Sequence, residues 1–277
     1  MLLDEIVATK AEEASALRRW KEHLENRAEE AAAPRDLEAA LRTAGASDSV
    51  AVIGEFKRRS PSADELAPEA DPVAVAGAYE EAGAAAVSVL TDGPHFGGSL
   101  SDLEKVSAAV SIPVLRKDFL LDPIQVLEAR AAGADAVLLI ARILDDSRLR
   151  DLLAAVQAHG MTPLVEVHSD EELARAVEAD ARVIGVNARD LASLEIDLDG
   201  ARDLLSRVPP DRIAVAESGV TGPEVVESLG EAGADAVLAG TWLMREGAGR
   251  VADLTGQPRA ARGRGAATGV GAEPGLG

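Results

Sequence analysis

The sequence predicts an α/β protein whose main body is a (β/α)8 TIM barrel, preceded by an N-terminal helical extension. Three observations predict it. From residue 49 onward, short β-branched apolar runs alternate with Ala/Leu/Glu-rich runs of helical periodicity. The strand-like runs are apolar on both faces, as strands of a parallel sheet covered by helices must be. Finally, Ala82-Gly83-Ala84-Ala85-Ala86-Val87 returns as Ala132-Gly133-Ala134-Asp135-Ala136-Val137 and as Ala232-Gly233-Ala234-Asp235-Ala236-Val237, at spacings of 50 and 100 residues. Fifty residues make two βα units, so about eight units fit between residues 49 and 249. An open doubly wound sheet is the runner-up, but it would normally carry a Gly-rich turn after its first strand, and none is present.

Residues 1–48 read as the extension, packed on the barrel. Residues 4–32 are helical in pattern, with Ile6, Val7, Leu17, Trp20 and Leu24 sparse among charges and Pro34 ending the run. Asp36 then suits the N-cap of a short helix to Ala44, closed by Gly45. The barrel occupies residues 49–252. Its strand-like runs are Val50–Gly54, Ala85–Leu90, Pro113–Arg116, Ala136–Ile140, Thr162–Val167, Val183–Val186, Arg212–Ala216 and Ala236–Ala239. Between them lie helical runs such as Pro72–Ala82, Asp122–Ala132, Asp145–His159, Asp170–Ala179 and Pro223–Ala232. Each Ala-Gly-Ala reads as a helix C-cap with glycine in the left-handed conformation, followed directly by a strand. Residues 253–277 lack apolar periodicity and read as a disordered tail; Arg259, Arg262 and Arg264 could touch an anionic partner, but a solvated tail is the plainer reading.

Composition narrows the function. The net charge is −20, and a field this negative repels nucleic acid and anionic membrane surfaces. Cysteine is absent, which excludes disulfides and thiolate chemistry. No apolar stretch is long enough to span a membrane, and the acidic N-terminus is not a secretion signal, so a cytoplasmic protein is expected. Only five residues are Lys and only six are aromatic. An acidic, Lys-poor, Ala-rich surface fits a protein adapted to concentrated salt, a halophilic trait; a merely acidic protein of a GC-rich genome is the alternative.

In a closed barrel, function gathers at the C-terminal ends of the strands. Reading just past each strand gives Glu55, Phe56, Lys57 and Ser60; the loop with His95 and Phe96; Lys117, Asp118 and Phe119; Glu166 with His168; Asn187 and Arg189; Glu217, Ser218 and Gly219; and Gly240 with Thr241. Two of the five lysines, Lys57 and Lys117, and all three Phe, at 56, 96 and 119, fall in this set. Surface charge is the ordinary use of Lys, yet here Arg serves that use. What Lys adds is a compact ammonium whose pKa falls on burial, so that it can give up a proton. Glu55 sits two residues from Lys57 on one face and reads as its salt-bridge partner, while Glu166, across the barrel, is the better candidate for proton transfer. Asn187 offers hydrogen bonds. Small residues after the last two strands, Ser218-Gly219 and Gly240-Thr241, suit a phosphate, with Arg189 and Ser60 as further donors. The four His include no pair at metal-ligand spacing, so no metal is expected.

Taken together, Glu55-x-Lys57-x-x-Ser60-Pro61-Ser62, Lys117-Asp118-Phe119, Pro163-Leu164-Val165-Glu166-Val167-His168, Gly185-Val186-Asn187-x-Arg189-Asp190-Leu191 and Ala216-Glu217-Ser218-Gly219 resemble the indole-3-glycerol-phosphate synthase family in order and spacing. The resemblance covers residues 50–245 and extends to the N-terminal helices. It implies a decarboxylating lyase of tryptophan biosynthesis that closes the ring of 1-(2-carboxyphenylamino)-1-deoxy-D-ribulose 5-phosphate, giving indole-3-glycerol phosphate, CO2 and water. It further implies Lys117 as general acid, Glu166 and Lys57 as base and acid of the dehydration, and Glu55, Asn187, Glu217 and Ser218 as binding and orienting groups. Phe96 and Phe119 would wall the anthranilate ring, and Ser60, Arg189, Gly219, Gly240 and Thr241 would contact phosphate and carboxylate. The expected partner is thus a small sugar phosphate, with no cofactor, in a monomer or weak homo-oligomer. Departures from the family pattern are Ala63-Asp64 in the first loop, Ala188, and Trp242 where a small residue is usual. Competing readings are another phosphate-binding isomerase barrel, a Schiff-base aldolase, and a catalytically silent phospholigand module.

Overall fold

Short strands that are apolar on both faces are buried only if they close on one another and take helices on the outside. The computed structural model describes residues 2–260 apart from 47, 61, 62, 191 and 192. The extension comprises α1 (Leu2–Leu17), α2 (Lys21–Glu30) and α3 (Leu37–Ala44). The strands are β1 (Ala51–Phe56), a small antiparallel ribbon of β2 (Arg59–Ser60) and β3 (Ala63–Glu65), then β4 (Ala86–Leu90), β5 (Val114–Lys117), β6 (Ala136–Ile140), β7 (Thr162–Val167), β8 (Val183–Asn187), β9 (Ile213–Glu217) and β10 (Ala236–Ala239). The eight larger strands pair in parallel in chain order, and β1 bonds to both β4 and β10, which closes the barrel and removes the open-sheet alternative.

The remaining helices are α4 (Pro72–Glu81), α5 (Gly93–Phe96), α6 (Leu100–Ala109), α7 (Pro123–Ala131), α8 (Asp146–Ala158), α9 (Asp170–Glu178), α10 (Leu198–Arg207), α11 (Pro223–Glu231), α12 (Thr241–Glu246) and α13 (Val251–Leu254). Their starts are set by side chains: Asp71, Asp122, Asp145, Ser169 and Asp197 each accept a backbone N–H of the first turn. The Ala-Gly-Ala caps are as expected, with Gly83, Gly133 and Gly233 at φ of 93°, 81° and 101°. Gly45 closes α3 at φ −86°, so that cap does not use the left-handed conformation.

Alternation along each strand sorts the core into two layers. Val52, Val89, Val137, Leu139, Val165 and Ile184 face the helices, while Ile53, Leu115, Leu138, Leu164, Val215 and Leu238 fill the barrel. The extension wraps this body from end to end. Leu37 and Leu41 of α3 join the barrel's inner cluster at its base. Leu24 and Ala28 of α2 pack on Ile124, Leu127 and Ala131 of α7, and α1 reaches the mouth, where Leu3 and Ile6 enter the cavity described below. A straight helix over residues 4–32 would run about 44 Å. The chain instead bends through a 3-10 turn at Arg18–Trp20, which lets one segment cover the mouth and the next descend the side.

The repeat explains how both ends of the chain are fastened to the base. Asp135 accepts the Val114 and Arg35 N–H groups, each at 2.7 Å, and pairs with the Arg35 guanidinium at 2.8 Å. One hundred residues later, Asp235 accepts the Ala214 N–H at 2.7 Å and pairs with Arg259. The segment after Asp253, expected to belong to the tail, is therefore structured as far as residue 260: Val50 donates to the Gln257 carbonyl at 2.8 Å and Arg259 N–H to that of Asp48 at 2.9 Å. The sequence reading missed this because the segment lacks apolar periodicity and is held by polar groups. Residues 261–277, with Arg262 and Arg264, lie outside the described residues. Replacing Asp235 by Ala is expected to lower stability by about 1–3 kcal/mol in urea denaturation and to speed hydrogen exchange at the Ala214 and Arg259 amides; unchanged exchange there would contradict the clip.

Candidate functional site

Because the strands are parallel, their last residues stand at one level around the mouth. Lys117, Asn187 and Glu217 are the final residues of β5, β8 and β9, Glu55 and Glu166 are penultimate in β1 and β7, and Gly240 follows β10. Fourteen of the residues singled out in the sequence line one cavity of about 480 Å³: Glu55, Lys57, Ser60, Phe96, Lys117, Phe119, Glu166, Asn187, Arg189, Glu217, Ser218, Gly219, Gly240 and Thr241; Asp118 lines it too, whereas Phe56, His95 and His168 do not. That volume suits a single small metabolite. Pro61, Ser62 and Leu191 of the quoted motifs lie outside the described residues. Among the described residues, no three His, Cys, Asp or Glu side chains form a group that could hold a metal ion.

Two ion-pair sets meet in the cavity. Lys57 Nζ lies 2.6 Å from Glu55 Oε1. Lys117 Nζ lies 2.6 Å from Glu217 Oε2 and 3.4 Å from Glu166 Oε2. Two glycines make room for these carboxylates. A Cβ at Gly185 would stand 2.1 Å from Glu217 Oε1, and one at Gly240 would stand 2.3 Å from Glu55 Oε1. Gly240, expected as a phosphate contact, thus has a steric role in addition to lining the cavity. Gly185 was quoted only as part of a motif; its role depends on β8 lying beside β9, which no local signal reveals.

Burial and charge pull these groups apart. Burial alone would lower the Lys117 pKa, but Glu217, Glu166 and Glu55 more than reverse this and hold it above the ordinary lysine value. This corrects the sequence argument, in which burial was expected to lower it: the neighbouring carboxylates decide the sign. Burial pushes Glu166 up, yet Lys117, His168 and a hydrogen bond with Asn187 outweigh it and keep the group below the usual carboxylate range. Glu217 goes the other way. Burial, aided by the charges of Glu166 and Glu55, pushes it up to about 7 against the pull of Lys117. The site therefore holds an ammonium, a carboxylate and a group that titrates near neutrality within one hydrogen-bonded cluster.

Beside the charges lies an apolar wall. Phe96 and Phe119 stand with ring centroids 6.2 Å apart, tilted by 35°, near Leu3 and Ile6 of α1 and Leu138 and Ile140 of β6. Phe56 does not belong to it. Since Glu55 points inward, its neighbour points outward, and Phe56 is buried between sheet and helices with the Arg58 guanidinium 5.0 Å from its ring. Trp242 lines the cavity, packs against the outer core and carries Arg250 at 5.5 Å on its ring, so it forms part of the wall.

The sequence reading missed Lys10. Lys10 is 3% exposed, and its ammonium lies 2.9 Å from Asp118 and 3.1 Å from Asp92. Asp92 caps α5, which ends in Phe96, and Asp118 accepts the Phe119 N–H at 2.9 Å, so one ammonium from α1 ties down both aromatic loops. The scarcity of lysine, which singled out Lys57 and Lys117, would have found it had the extension been read as part of the site.

On the opposite flank, Ser218 and Gly219 adopt consecutive positive φ of 67° and 77°, a sharp turn straight off β9. Arg189 donates its guanidinium to the Leu194 carbonyl at 2.8 Å, and its backbone N–H to Asn187 Oδ1 at 3.0 Å. Gly185→Ala is expected to keep the far-UV circular dichroism of the barrel while opening the Lys117–Glu217 pair. A crystal structure of that variant with the pair intact would show that the glycine is dispensable.

Comparison with known proteins agrees with this geometry. A family profile described as indole-3-glycerol phosphate synthase matches residues 3–252. An indole-3-glycerol phosphate synthase of Parafrankia sp. is 54% identical over 233 residues, covering 83% of this chain and 85% of the relative. One of Hyphomonas neptunium is 44% identical over 255 residues, covering 91% and 96%. Two solved structures share the fold alone: a tryptophan synthase from M. tuberculosis superposes with a TM-score of 0.59 at 21% identity, covering 80% of this chain and 96% of that one. A 3-hexulose-6-phosphate synthase from Salmonella typhimurium does so with 0.60 at 15%, covering 74% and 97%. On the profile and these relatives, the chain belongs to the indole-3-glycerol phosphate synthase family.

Proposed function

We propose that the chain converts 1-(2-carboxyphenylamino)-1-deoxy-D-ribulose 5-phosphate to indole-3-glycerol phosphate, CO2 and water. The observation that carries this reading is a single ammonium, Lys117, held between Glu166 and Glu217 in a cavity whose other wall is aromatic. The carboxylate-bearing aryl carbon attacks the ketone while Lys117 gives its oxygen a proton. A donor held above the ordinary lysine value is fully charged at neutral pH, and it releases its proton only to an acceptor as basic as the developing alkoxide. Loss of CO2 returns the bonding electrons to the ring. Glu166 then takes a proton from the former C1 methylene, whose C–H electrons become the ring double bond as Lys57 protonates the departing hydroxyl. Two protons are given and one is taken, so each turnover takes up one proton, matching the negative charge lost when the carboxylate leaves as CO2.

Glu55 holds Lys57, and Asn187 orients Glu166. Phe96 and Phe119 receive the anthranilate ring. Gly219, Gly240, Thr241, Ser60 and Arg189 receive the phosphate and carboxylate, with Ser218 and Glu217 positioning the chain between. Mixing purified protein with the substrate in molar KCl is expected to give a rise in indole fluorescence. Lys117→Arg should lose about 10²–10⁴-fold in kcat while retaining substrate binding, because a guanidinium cannot release its proton. No product at any salt concentration overturns the function, and an active Arg variant removes Lys117 from the acid role.

The working environment is read as a salt-rich cytoplasm, with the protein a monomer or weak homo-oligomer. No helix among the described residues is long and apolar enough to cross a membrane. The net charge of −20 favours a medium that screens self-repulsion. Circular dichroism is expected to show reversible loss of structure on removal of KCl; full stability without added salt would contradict this reading.

A further inference from the structure

Glu166 has two oxygens, and only one faces Lys117. The other, Oε1, is buried and lies 3.5 Å from Nε2 of His168, the residue that follows β7. The imidazole, only 4% exposed, stands between two carboxylates, with Nδ1 3.4 Å from Glu172 Oε2 in the first turn of α9. Glu172 is itself fixed. It accepts the His168 backbone N–H at 2.7 Å on one oxygen and Arg142 Nε at 3.1 Å on the other. Arg142 continues to Asp190, at 2.8 Å, in the loop that carries Arg189.

The charged groups facing the ring are Glu166 from β7, Glu172 from α9 and Arg142 from the turn after β6. Burial and Arg142 oppose a charge on the ring, and the two carboxylates outweigh them, so its pKa is raised. Glu166 is consequently flanked by a cation on each side, Lys117 in the cavity and His168 behind it.

We propose that His168 is a positioning residue, an imidazolium wedged between Glu166 and Glu172 that aims Glu166 at the reacting centre and keeps it an acceptor as the pH falls. This rests on the reading of Glu166 as the base. His168 meets no substrate; it acts through Glu166, and Glu172 with Arg142 holds it in place. Its removal takes away one of the two cations that lower Glu166, so Glu166 takes up a proton at higher pH.

The test is the pH dependence of kcat/KM, followed by indole fluorescence, for the full chain and two variants. His168→Phe keeps the ring and removes the charge. The acid limb is expected to move to higher pH by about one unit, with kcat at neutral pH reduced and KM little changed. Glu172→Gln, outside the cavity, weakens the imidazolium without touching Glu166, and should move the limb in the same direction by less. It carries the test alone if His168→Phe does not fold. An acid limb unmoved in the folded variants, or a loss confined to KM, overturns the role of His168. Absence of product from the unaltered chain overturns the assigned reaction instead, so the two failures are distinguishable.

Discussion

Three carboxylates confined to one end of a dry barrel set the terms for the rest of the site. Glu55, Glu166 and Glu217 are almost wholly buried, and a carboxylate taken out of water either finds a cation or takes up a proton. The ammonium groups of Lys57 and Lys117 stand opposite them, with Arg189 on the flank and His168 behind Glu166. Burial, with the charges of Glu166 and Glu55, pushes Glu217 up to about 7, while Glu166 keeps its charge because Lys117 and His168 stand on either side. The same three carboxylates explain the high proton affinity of Lys117. The site thus orders its proton donors and acceptors by counting charges in a confined space, with backbone geometry fixing which charges are neighbours.

That geometry is purchased with missing side chains. Gly185 on β8 and Gly240 just past β10 stand beside the strands that bear Glu217 and Glu55, and the absent Cβ atoms are the space the carboxylates occupy. A barrel interior is otherwise filled by bulky apolar residues. Lower in this barrel Leu115, Leu138 and Leu164 do fill it. The change from Leu and Val to Gly toward the strand ends converts a packed core into a cavity, and the left-handed turn at Ser218-Gly219 leads the chain sharply off β9 at its rim.

Much of this was legible in the sequence, for physical reasons that also mark where legibility stops. Strand alternation and the Ala-Gly-Ala repeat are local, so all eight barrel strands and the end at which chemistry gathers follow from them. Lys57, Lys117 and Glu166 followed from strand ends and from the scarcity of lysine. Features that depend on which strand adjoins which did not follow. Phe56 was assigned to the mouth although Glu55, one residue before it, already fixed its direction outward. The sign of the Lys117 shift was misjudged because burial was weighed without the three carboxylates that accompany it. The segment to residue 260 looked unstructured because polar pairs, unlike apolar periodicity, leave no pattern until their partners are placed.

The extension joins the two ends of the barrel into one problem of stability and function. At the base, Asp135 and Asp235 occupy equivalent places in the repeat, and each receives an arginine from outside the barrel, Arg35 from one end of the chain and Arg259 from the other. At the mouth, α1 buries Lys10 between Asp92 and Asp118 and lends Leu3 and Ile6 to the aromatic wall. Without that ammonium Asp92 would lose its cation and Asp118 would keep only Arg116, and the loops holding Phe96 and Phe119 would carry the resulting strain. A bare barrel of eight βα units would therefore have a closed sheet but an unfinished pocket. The helix that completes the wall is held there by charges belonging to the loops it covers, so docking of the extension and shaping of the cavity are a single event.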